Sequence, residues 1–295
     1  MEAVAAGGGA AILREAMRLR LYHHHDGARV AYWEEGTGQA LVLLHSLGLS
    51  HREWAPVVGA LSARFRVVLP DLPLHGDSED RPRHPYTQAW LTEVMAGFCA
   101  DAGGPRAAVA GHDIGAELAL RMVATGAYGP ARLVLMGNRM HRPAPFGGWR
   151  TLWRVAAGLG ALPVADRALS HAAPLLLRPR LGEYLSAQRI PESRDVVRHA
   201  LADVGGNTNR ARAWAKFARR WPFEAQRDLL DAYPALRLPV LLLWAEEDPL
   251  APIDLAREAI DLIPGAALRT LPGAGFLAAY DDPVAVAREL ISFCG

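Results

Sequence analysis

The chain has 295 residues, of which 51% are hydrophobic and 21% charged, and its formal net charge is +1. These values suit one large globular domain with an inserted subdomain and give no global signal for nucleic-acid binding. No apolar run approaches the roughly 20 residues that span a bilayer, and the two cysteines show no pairing pattern, so we expect a cytoplasmic protein without membrane attachment.

Residues 1–18 are rich in Ala and Gly, lack the pattern of a secretory signal, and are expected to form a disordered extension.

Predicted strands and helices alternate along the rest of the chain up to about residue 138. Asp26-Gly27 is a turn signal, and Val30 to Trp33 resembles the second strand of a hairpin. Short apolar runs predict buried parallel strands at residues 41–45, 66–70, 107–110, 133–136, 240–244 and, more weakly, 267–271. Helical spacing occurs between them, at residues 53–63, 87–102, 117–125, 253–262 and 283–293. This alternation predicts an α/β domain with helices on both faces of a parallel sheet.

The alternation breaks between Arg139 and Leu238. Helical patterns cut by Pro and Gly replace it, at residues 149–158, 166–177, 193–204 and 209–221. A structureless loop of this length is implausible in a compact domain, so we predict a helical cap at 139–238 on a core formed by 19–138 and 239–295. Residues 139–230 hold 16 basic and 7 acidic side chains. This excess could favour anionic or phenolate substrates, or it could simply be a solvated helical surface.

A strand, a sharp turn and a helix are predicted around Asp113, within Arg-Ala-Ala-Val-Ala-Gly-His-Asp-Ile-Gly at 106–115. Gly111 and Gly115 flank Asp113 in the spacing of a nucleophile elbow, where small neighbours let the central residue adopt a strained conformation. Its side chain would then face a pocket at the carboxyl end of the sheet. The helix N-terminus beneath it stabilises negative charge.

Gly-His-Asp-x-Gly at 111–115 resembles the elbow of the Asp-nucleophile branch of the α/β-hydrolase superfamily, which includes epoxide hydrolases and haloalkane dehalogenases. Three other segments agree in order, namely His45 after a strand, residues 71–78, and Trp-Ala-Glu-Glu-Asp-Pro at 244–249. The resemblance covers nearly the whole chain from about Leu21. It implies a mostly parallel eight-stranded sheet with an inserted helical cap, a small-molecule substrate, and neither a cofactor nor a metal. A homodimer is left open.

The resemblance also implies roles for particular residues. Asp113 would attack the substrate to form an ester, the backbone N–H groups of Ser46 and Ile114 would stabilise the oxyanion, and Asp248 would orient a histidine base. That histidine is expected in a pattern like Pro-Gly-Ala-Gly-His, whereas this chain has Phe276 at the last place. Phenylalanine has no titratable proton and cannot activate water.

Three interpretations of Phe276 stay open. Asp113 could act as a general acid or base with a burial-raised pKa, as in a cofactor-free cyclase, dehydratase or isomerase of secondary metabolism. The substrate or a cap residue could supply the base, with His141, His171 and His199 as candidates. Alternatively, Phe276 could be an engineered trap for the ester, or the protein a non-catalytic ligand-binding relative.

Residues near the elbow and in the cap segment bear on the substrate class. Ile114 stands where dehalogenases carry a halide-binding Trp, and the turn at 45–48 lacks both the Asn of dehalogenases and the Pro of epoxide hydrolases. The cap segment offers Tyr184 and, at its exit, Tyr233 as phenol donors. The candidate substrate contacts are His45, Trp149, Trp153, Tyr184 and Trp214, although tryptophans in a cap also pack it against a core. We predict an epoxide or a related small organic molecule, such as a polycyclic or aromatic one. His45 and His112 otherwise read as structural members of their motifs.

Overall fold

The computed structural model describes residues 18–143, 184–204 and 208–295. The predicted cap helices at 149–158 and 166–177 lie outside these residues, as do Trp149, Trp153 and His171. The first strand begins at Arg18, one residue inside the expected N-terminal extension.

Eight strands in the described residues form one sheet, which confirms the predicted fold class. In chain order they are β1 (Arg18–His23), β2 (Arg29–Glu35), β3 (Ala40–Leu44), β4 (Arg66–Pro70), β5 (Ala108–His112), β6 (Arg132–Met136), β7 (Val240–Ala245) and β8 (Ala267–Leu271). Their spatial order is β1-β2-β4-β3-β5-β6-β7-β8. Strand β2 is antiparallel to both its neighbours, and all other pairs are parallel.

Helices connect the strands. The described ones are α1 (Ala55–Ser62), α2 (Gln88–Phe98), α3 (Ile114–Ala124), α4 (Pro191–Val204), α5 (Thr208–Arg220), α6 (Arg227–Ala232), α7 (Ile253–Ile260), α8 (Ala278–Asp281) and α9 (Pro283–Cys294). Helices α4, α5 and α6 fall between β6 and β7, in the segment where the sequence predicts a cap. Thr87 caps α2, since its hydroxyl accepts a hydrogen bond from the Trp90 N–H at 3.2 Å.

Both faces of the central strands β3 to β7 are buried, which explains why these strands read as continuous apolar runs. Along β3, Val42 and Leu44 belong to one core and Leu41 and Leu43 to the other, because successive side chains point to opposite faces. The first core contains side chains of α2, α3 and α7, and the second those of α1 and α9. Within the described part of the chain, no helix has the length and apolar character needed to cross a membrane.

Candidate active site

Asp113 stands at a strained turn between β5 and α3. Its backbone has φ +50° and ψ −112°, a left-handed conformation that non-glycine residues adopt at a cost. The Asp113 N–H is held by the Met136 carbonyl at 3.1 Å, and the Asp113 carbonyl accepts a hydrogen bond from Asn138 Nδ2 at 2.7 Å. Asn138 is itself fixed by the Met140 N–H, which donates to its Oδ1 at 2.6 Å. This side chain was not identified from the sequence, yet it braces the turn.

Two glycines make the turn sterically feasible. A Cβ on Gly111 would lie 2.4 Å from the backbone of Gly115, and a Cβ on Gly115 would lie 2.4 Å from the Leu44 carbonyl oxygen. Both distances are far inside van der Waals contact, and the obstructing atoms are backbone. The elbow therefore needs glycine on both sides of Asp113.

Gly115→Ala is accordingly expected to destabilise the fold by about 2–4 kcal/mol, because β3 and α3 must separate to admit the methyl group. Urea denaturation measures the change. The matched control is Gly59→Ala in α1, where a Cβ meets nothing within 4 Å and alanine's helix propensity should stabilise by about 0.5–1 kcal/mol. Equal stabilities of the two variants would contradict this account of the elbow.

The Asp113 carboxylate is held by backbone N–H groups. Its Oδ2 accepts a hydrogen bond from the Leu47 N–H at 3.0 Å, and the nearby Ile114 N–H also lowers the pKa of this carboxyl. Leu47 thus takes the position that the sequence analysis gave to Ser46. The Ser46 prediction is wrong in this respect, because the Ser46 N–H and hydroxyl both donate to Glu53 Oε2, at 2.7 and 2.9 Å.

Burial sets the protonation of Asp113. It raises the pKa of the carboxyl from 3.8 to about 6, against the opposing effects of His112 and of the Leu47 and Ile114 N–H groups. The side chain nevertheless keeps some accessible surface. A carboxyl with this pKa is poised to act as a base or nucleophile above pH 6 and as an acid below it.

A buried ion pair lies behind the elbow. His112 Nδ1 is hydrogen-bonded to Glu53 Oε1, and both side chains are almost fully buried. Burial alone would lower the pKa of His112, but the carboxylates of Glu53, Asp248 and Asp113 raise it above its ordinary value. Burial alone would raise the pKa of Glu53, but His112 and Ser46 lower it. Within this pair Glu53 balances the charge that His112 carries when protonated, and His112 in turn opposes the rise in the pKa of Asp113. Glu53 was not identified as a site residue, because in the sequence it follows the polar residues Ser50, His51 and Arg52 and nothing marks it as buried.

Asp248 lies on the other side of His112. Its Oδ1 accepts hydrogen bonds from the N–H groups of Leu250 and Ala251, at 2.8 and 3.1 Å, whereas its Oδ2 is buried without a partner. A Cβ on Gly137 would lie 2.7 Å from His112 Nε2 and 2.8 Å from Asp248 Oδ2, so these two atoms are at most 5.5 Å apart. Burial raises the pKa of Asp248, while the charge of His112 opposes the rise. One oxygen of Asp248 thus shapes a turn and the other is left for a further partner.

Phe276 packs against the same histidine. Its ring centroid lies 4.4 Å from that of His112, and it is 3% exposed. The side chain belongs to a small apolar cluster with Leu49, Leu185, Val196, Val197 and Leu277. The turn carrying Phe276 is joined to the turn carrying Asp248 by a hydrogen bond from the Glu247 N–H to the Ala274 carbonyl at 3.0 Å. Position 276 therefore borders His112 and lies in a turn next to that of Asp248.

His45, His141 and His199, which the structure describes, form hydrogen bonds with groups other than Asp113. His45 is fully buried, its Nδ1 bonds the Ser46 carbonyl at 2.8 Å, and its Nε2 accepts from the Leu72 N–H at 2.9 Å. Both ring nitrogens of His45 bond the backbone, so His45 is a structural member of its motif and the prediction that it contacts the substrate is wrong. His141 Nε2 pairs with Glu258 at 3.2 Å, and His199 Nδ1 bonds the Asp195 carbonyl at 2.7 Å.

A small cavity lies beside the loop that holds Asp113. Its volume is about 10 Å³. It is lined by Gly48, Leu49, Leu74, His75, Gly76, Ala200, Arg210 and Trp214. His75 and Trp214 have ring centroids 4.8 Å apart, and His75 Nε2 and Trp214 Nε1 are both buried without a hydrogen-bond partner. His75 Nδ1 faces the Pro73 carbonyl at 3.1 Å, and burial lowers the pKa of His75 to about 3. The ring is therefore neutral with its proton on Nδ1, which leaves Nε2 as an acceptor.

Trp214 can only donate, so the two side chains together suit a hydroxyl group. His75 was not identified from the sequence as a site residue. Tyr184 is 58% exposed and Tyr233 is fully buried with its hydroxyl unpartnered. Among the described residues, no group of three metal-ligating side chains gathers at the elbow.

Comparisons with known proteins agree with this geometry at the level of the fold. A family model described as alpha/beta hydrolase fold matches residues 39–283. The magnesium-chelatase 30 kDa subunit of Rhodobacter capsulatus is 28% identical over 257 residues, which cover 83% of this chain and 84% of that protein. A putative carbamate hydrolase, RutD of Caulobacter sp., is 29% identical over 273 residues, 92% of this chain and 95% of its own length.

Epoxide hydrolases occur among the similar proteins. A soluble epoxide hydrolase of Corynebacterium sp. is 34% identical over 106 residues, which cover 35% of this chain and 37% of that enzyme. The solved structure of the epoxide hydrolase CorEH superposes with a TM-score of 0.76 at 20% identity, covering 94% of this chain and 98% of that one. An esterase from Thermogutta terrifontis superposes with a TM-score of 0.75 at 21% identity, over 94% and 97% of the two chains. Structural likeness at these identities establishes the fold alone.

Proposed function

Because the chain belongs to the alpha/beta hydrolase fold family, we propose that it is an enzyme whose Asp113 carboxylate attacks an epoxide or a related electrophile. The substrate is a small organic molecule, such as an aromatic or polycyclic one. The observation that carries the proposal is the hydrogen bond from the Leu47 N–H to Asp113 Oδ2 at 3.0 Å. It fixes one carboxylate oxygen against the backbone and leaves Oδ1 to form the new bond.

The first step is a displacement. Asp113 Oδ1 forms a bond to an epoxide carbon, and the carbon–oxygen bond of the ring breaks. The alkoxide that this releases takes up a proton from water. The resulting ester keeps its carbonyl oxygen, Oδ2, against the Leu47 N–H, and the Ile114 N–H would be the second donor that the family resemblance implies. If water then added to the ester carbon, the same two donors would stabilise the negative charge on Oδ2.

The second step lacks its base. Phe276 cannot deprotonate water, and His112 is committed to Glu53 through Nδ1 and is covered by the Phe276 ring. The ester is therefore expected to persist much longer than in an enzyme with a histidine at this place. Support for an epoxide, as opposed to a halide, comes from Ile114 after the nucleophile and from the similarity to an enzyme named as an epoxide hydrolase.

A second function is favoured by one observation, the burial that raises the pKa of Asp113 to about 6. With that pKa the carboxyl could transfer a proton in a cofactor-free cyclisation, dehydration or isomerisation without forming an ester. The hydroxyl-sized cavity between His75 and Trp214 would hold a polar group of the substrate in either case.

The pH dependence distinguishes how Asp113 acts. As a nucleophile or base it must be ionised, so the rate of epoxide consumption in the first turnover, before ester decay becomes limiting, should rise as the pH increases through about 6 and then level off. As a general acid it must be protonated, and the rate should fall above about 6. Initial rates with styrene oxide between about pH 4.5 and pH 9 measure this. A rate that falls over that range would contradict the attack by Asp113.

Labelled water tests the hydrolytic outcome. In a single turnover in H₂¹⁸O, water that attacks the ester carbon places the label on the Asp113 carboxylate before it reaches the diol. A product that contains no label after many turnovers would favour the non-hydrolytic function. Binding of substrate without any chemistry would leave a ligand-binding protein.

A further inference from the structure

A surface groove of about 520 Å³ lies away from the elbow. It borders the C-terminal end of α3 through Arg121 and Thr125, whereas Asp113 stands at the N-terminal end of that helix. The turn between β1 and β2 and the side of α2 form the rest of its wall. Nothing in the proposed chemistry uses this groove.

Three potential metal ligands meet in the groove wall. They are His24 and His25 from the β1–β2 turn and Glu93 from α2, and one ligand atom of each lies within 4.8 Å of the other two. His25 Nε2 and Glu93 Oε1 are 3.6 Å apart. In a tetrahedral zinc site with bonds of about 2.0–2.1 Å, ligand atoms are separated by roughly 3.3 Å. Small side-chain movements therefore suffice to bring all three onto one ion.

The buried member of the trio is already oriented. His24 is 6% exposed, and its Nδ1 is hydrogen-bonded to Asp26 Oδ1 at 2.9 Å. Asp26 is held in turn by the Trp90 indole N–H at 2.6 Å and by the Ala28 N–H at 2.9 Å. A carboxylate can only accept here, so Nδ1 carries the proton and Nε2 keeps its lone pair for a metal. This carboxylate–histidine arrangement is the one that orients histidine ligands in zinc proteins.

We propose that His24, His25 and Glu93 bind a Zn²⁺ ion that ties the β1–β2 turn to α2. Two imidazole nitrogens and one carboxylate oxygen suit Zn²⁺ and similar late transition ions and do not suit Mg²⁺ or Ca²⁺, which prefer oxygen ligands. Three protein ligands leave a fourth position, which faces the groove and is open to water or a small ligand. The sequence alone gives no signal of this site, because Glu93 lies far along the chain from the two histidines.

Zinc titration of the full, untagged chain after treatment with EDTA tests the proposal. Isothermal titration calorimetry with ZnCl₂ should show one ion per chain, and saturating zinc should raise the melting temperature because it binds only the folded state. His25→Ala and Glu93→Gln, both at exposed side chains, should each weaken binding more than tenfold. Asp26→Asn should weaken it by about tenfold without removing a ligand.

The control is His23→Ala, which removes a neighbouring exposed histidine outside the trio. It should leave the affinity for zinc unchanged, and MgCl₂ should give no binding in any variant. The proposal is overturned if the wild type shows no stoichiometric binding. It is equally overturned if His25→Ala and Glu93→Gln both bind zinc as tightly as the wild type.

Discussion

Phe276→Ala would only leave a hole, but Phe276→His is expected to speed hydrolysis of the Asp113 ester by about 10²–10⁴-fold, the usual contribution of a general base. Asp248 Oδ2 is buried and unpartnered, and the turns carrying residues 248 and 276 are hydrogen-bonded to each other. A histidine at 276 would thus find a carboxylate acceptor for one ring nitrogen and could turn the other towards the ester. The measurement is the decay rate of the adduct after excess epoxide is removed.

Two controls separate base catalysis from loosened packing. Phe276→Leu keeps an apolar side chain among Leu49, Leu185 and Val196 and should leave the ester as long-lived as in the wild type. Phe276→His combined with Asp248→Asn should lose most of the gain, because the new histidine then lacks the carboxylate that orients it. An adduct that decays equally fast in the wild type and in Phe276→His would contradict the role given to position 276.

Asp113→Asn is expected to remove the chemistry and to stabilise the fold. Consumption of epoxide should fall by at least about a thousandfold, since the amide oxygen is a poor nucleophile. At about pH 8 the free energy of unfolding should rise by about 1–3 kcal/mol, because the buried carboxylate is no longer ionised. Epoxide consumption and urea denaturation measure the two effects.

The sign of the stability change follows from the raised pKa. Between about pH 4 and pH 6 the unfolded Asp113 is already ionised, whereas the folded one, with a pKa of about 6, is still protonated. The unfolded state then binds fewer protons, so stability falls as the pH rises through this window and stays lower above it. The gain from Asp113→Asn should therefore vanish near pH 4.

Asp228→Asn is the matched control, since Arg121 holds the pKa of this exposed carboxyl below its usual range. It should give no gain in stability at pH 8. If the wild type and Asp113→Asn were equally stable at about pH 8 as well as at about pH 4, Asp113 would not be held in a site that disfavours its charge.

The central strands β3 to β7 could be predicted from the sequence because burial on both faces produces continuous apolar runs, whereas β8, in which Arg269 and Thr270 are exposed, gives a weaker signal. Residues 66–70 and 267–271 were predicted as strands with the observed bounds of β4 and β8, and the other core strands shifted by one or two residues. The elbow could also be predicted, since Gly111 and Gly115 are required: a Cβ on either residue would lie 2.4 Å from a backbone atom. Local steric limits of this kind restrict which residue type can occupy a position, so they can be detected in the sequence.

The directions of backbone N–H groups leave no such mark. Ser46 and Leu47 are neighbours, and only the coordinates show that Glu53 takes the Ser46 N–H and that Asp113 takes the next one. The Glu53–His112 pair brings together residues that are distant in the chain. The same is true of His75 and Trp214, whose rings are in contact and whose ring nitrogens Nε2 and Nε1 have no partner. Contacts between residues far apart in the chain depend on the tertiary structure. The turn at Asp113 could therefore be predicted from the sequence, but the groups that set its pKa and hydrogen bonds could not.

Mass spectrometry of the wild type with styrene oxide tests the attack by Asp113 most directly. The intact chain should gain the mass of one styrene oxide, and digestion should place the modification on the peptide that carries Asp113, with no modification in Asp113→Asn. Undiminished epoxide consumption by Asp113→Asn, or an adduct that maps to another residue, would contradict the account.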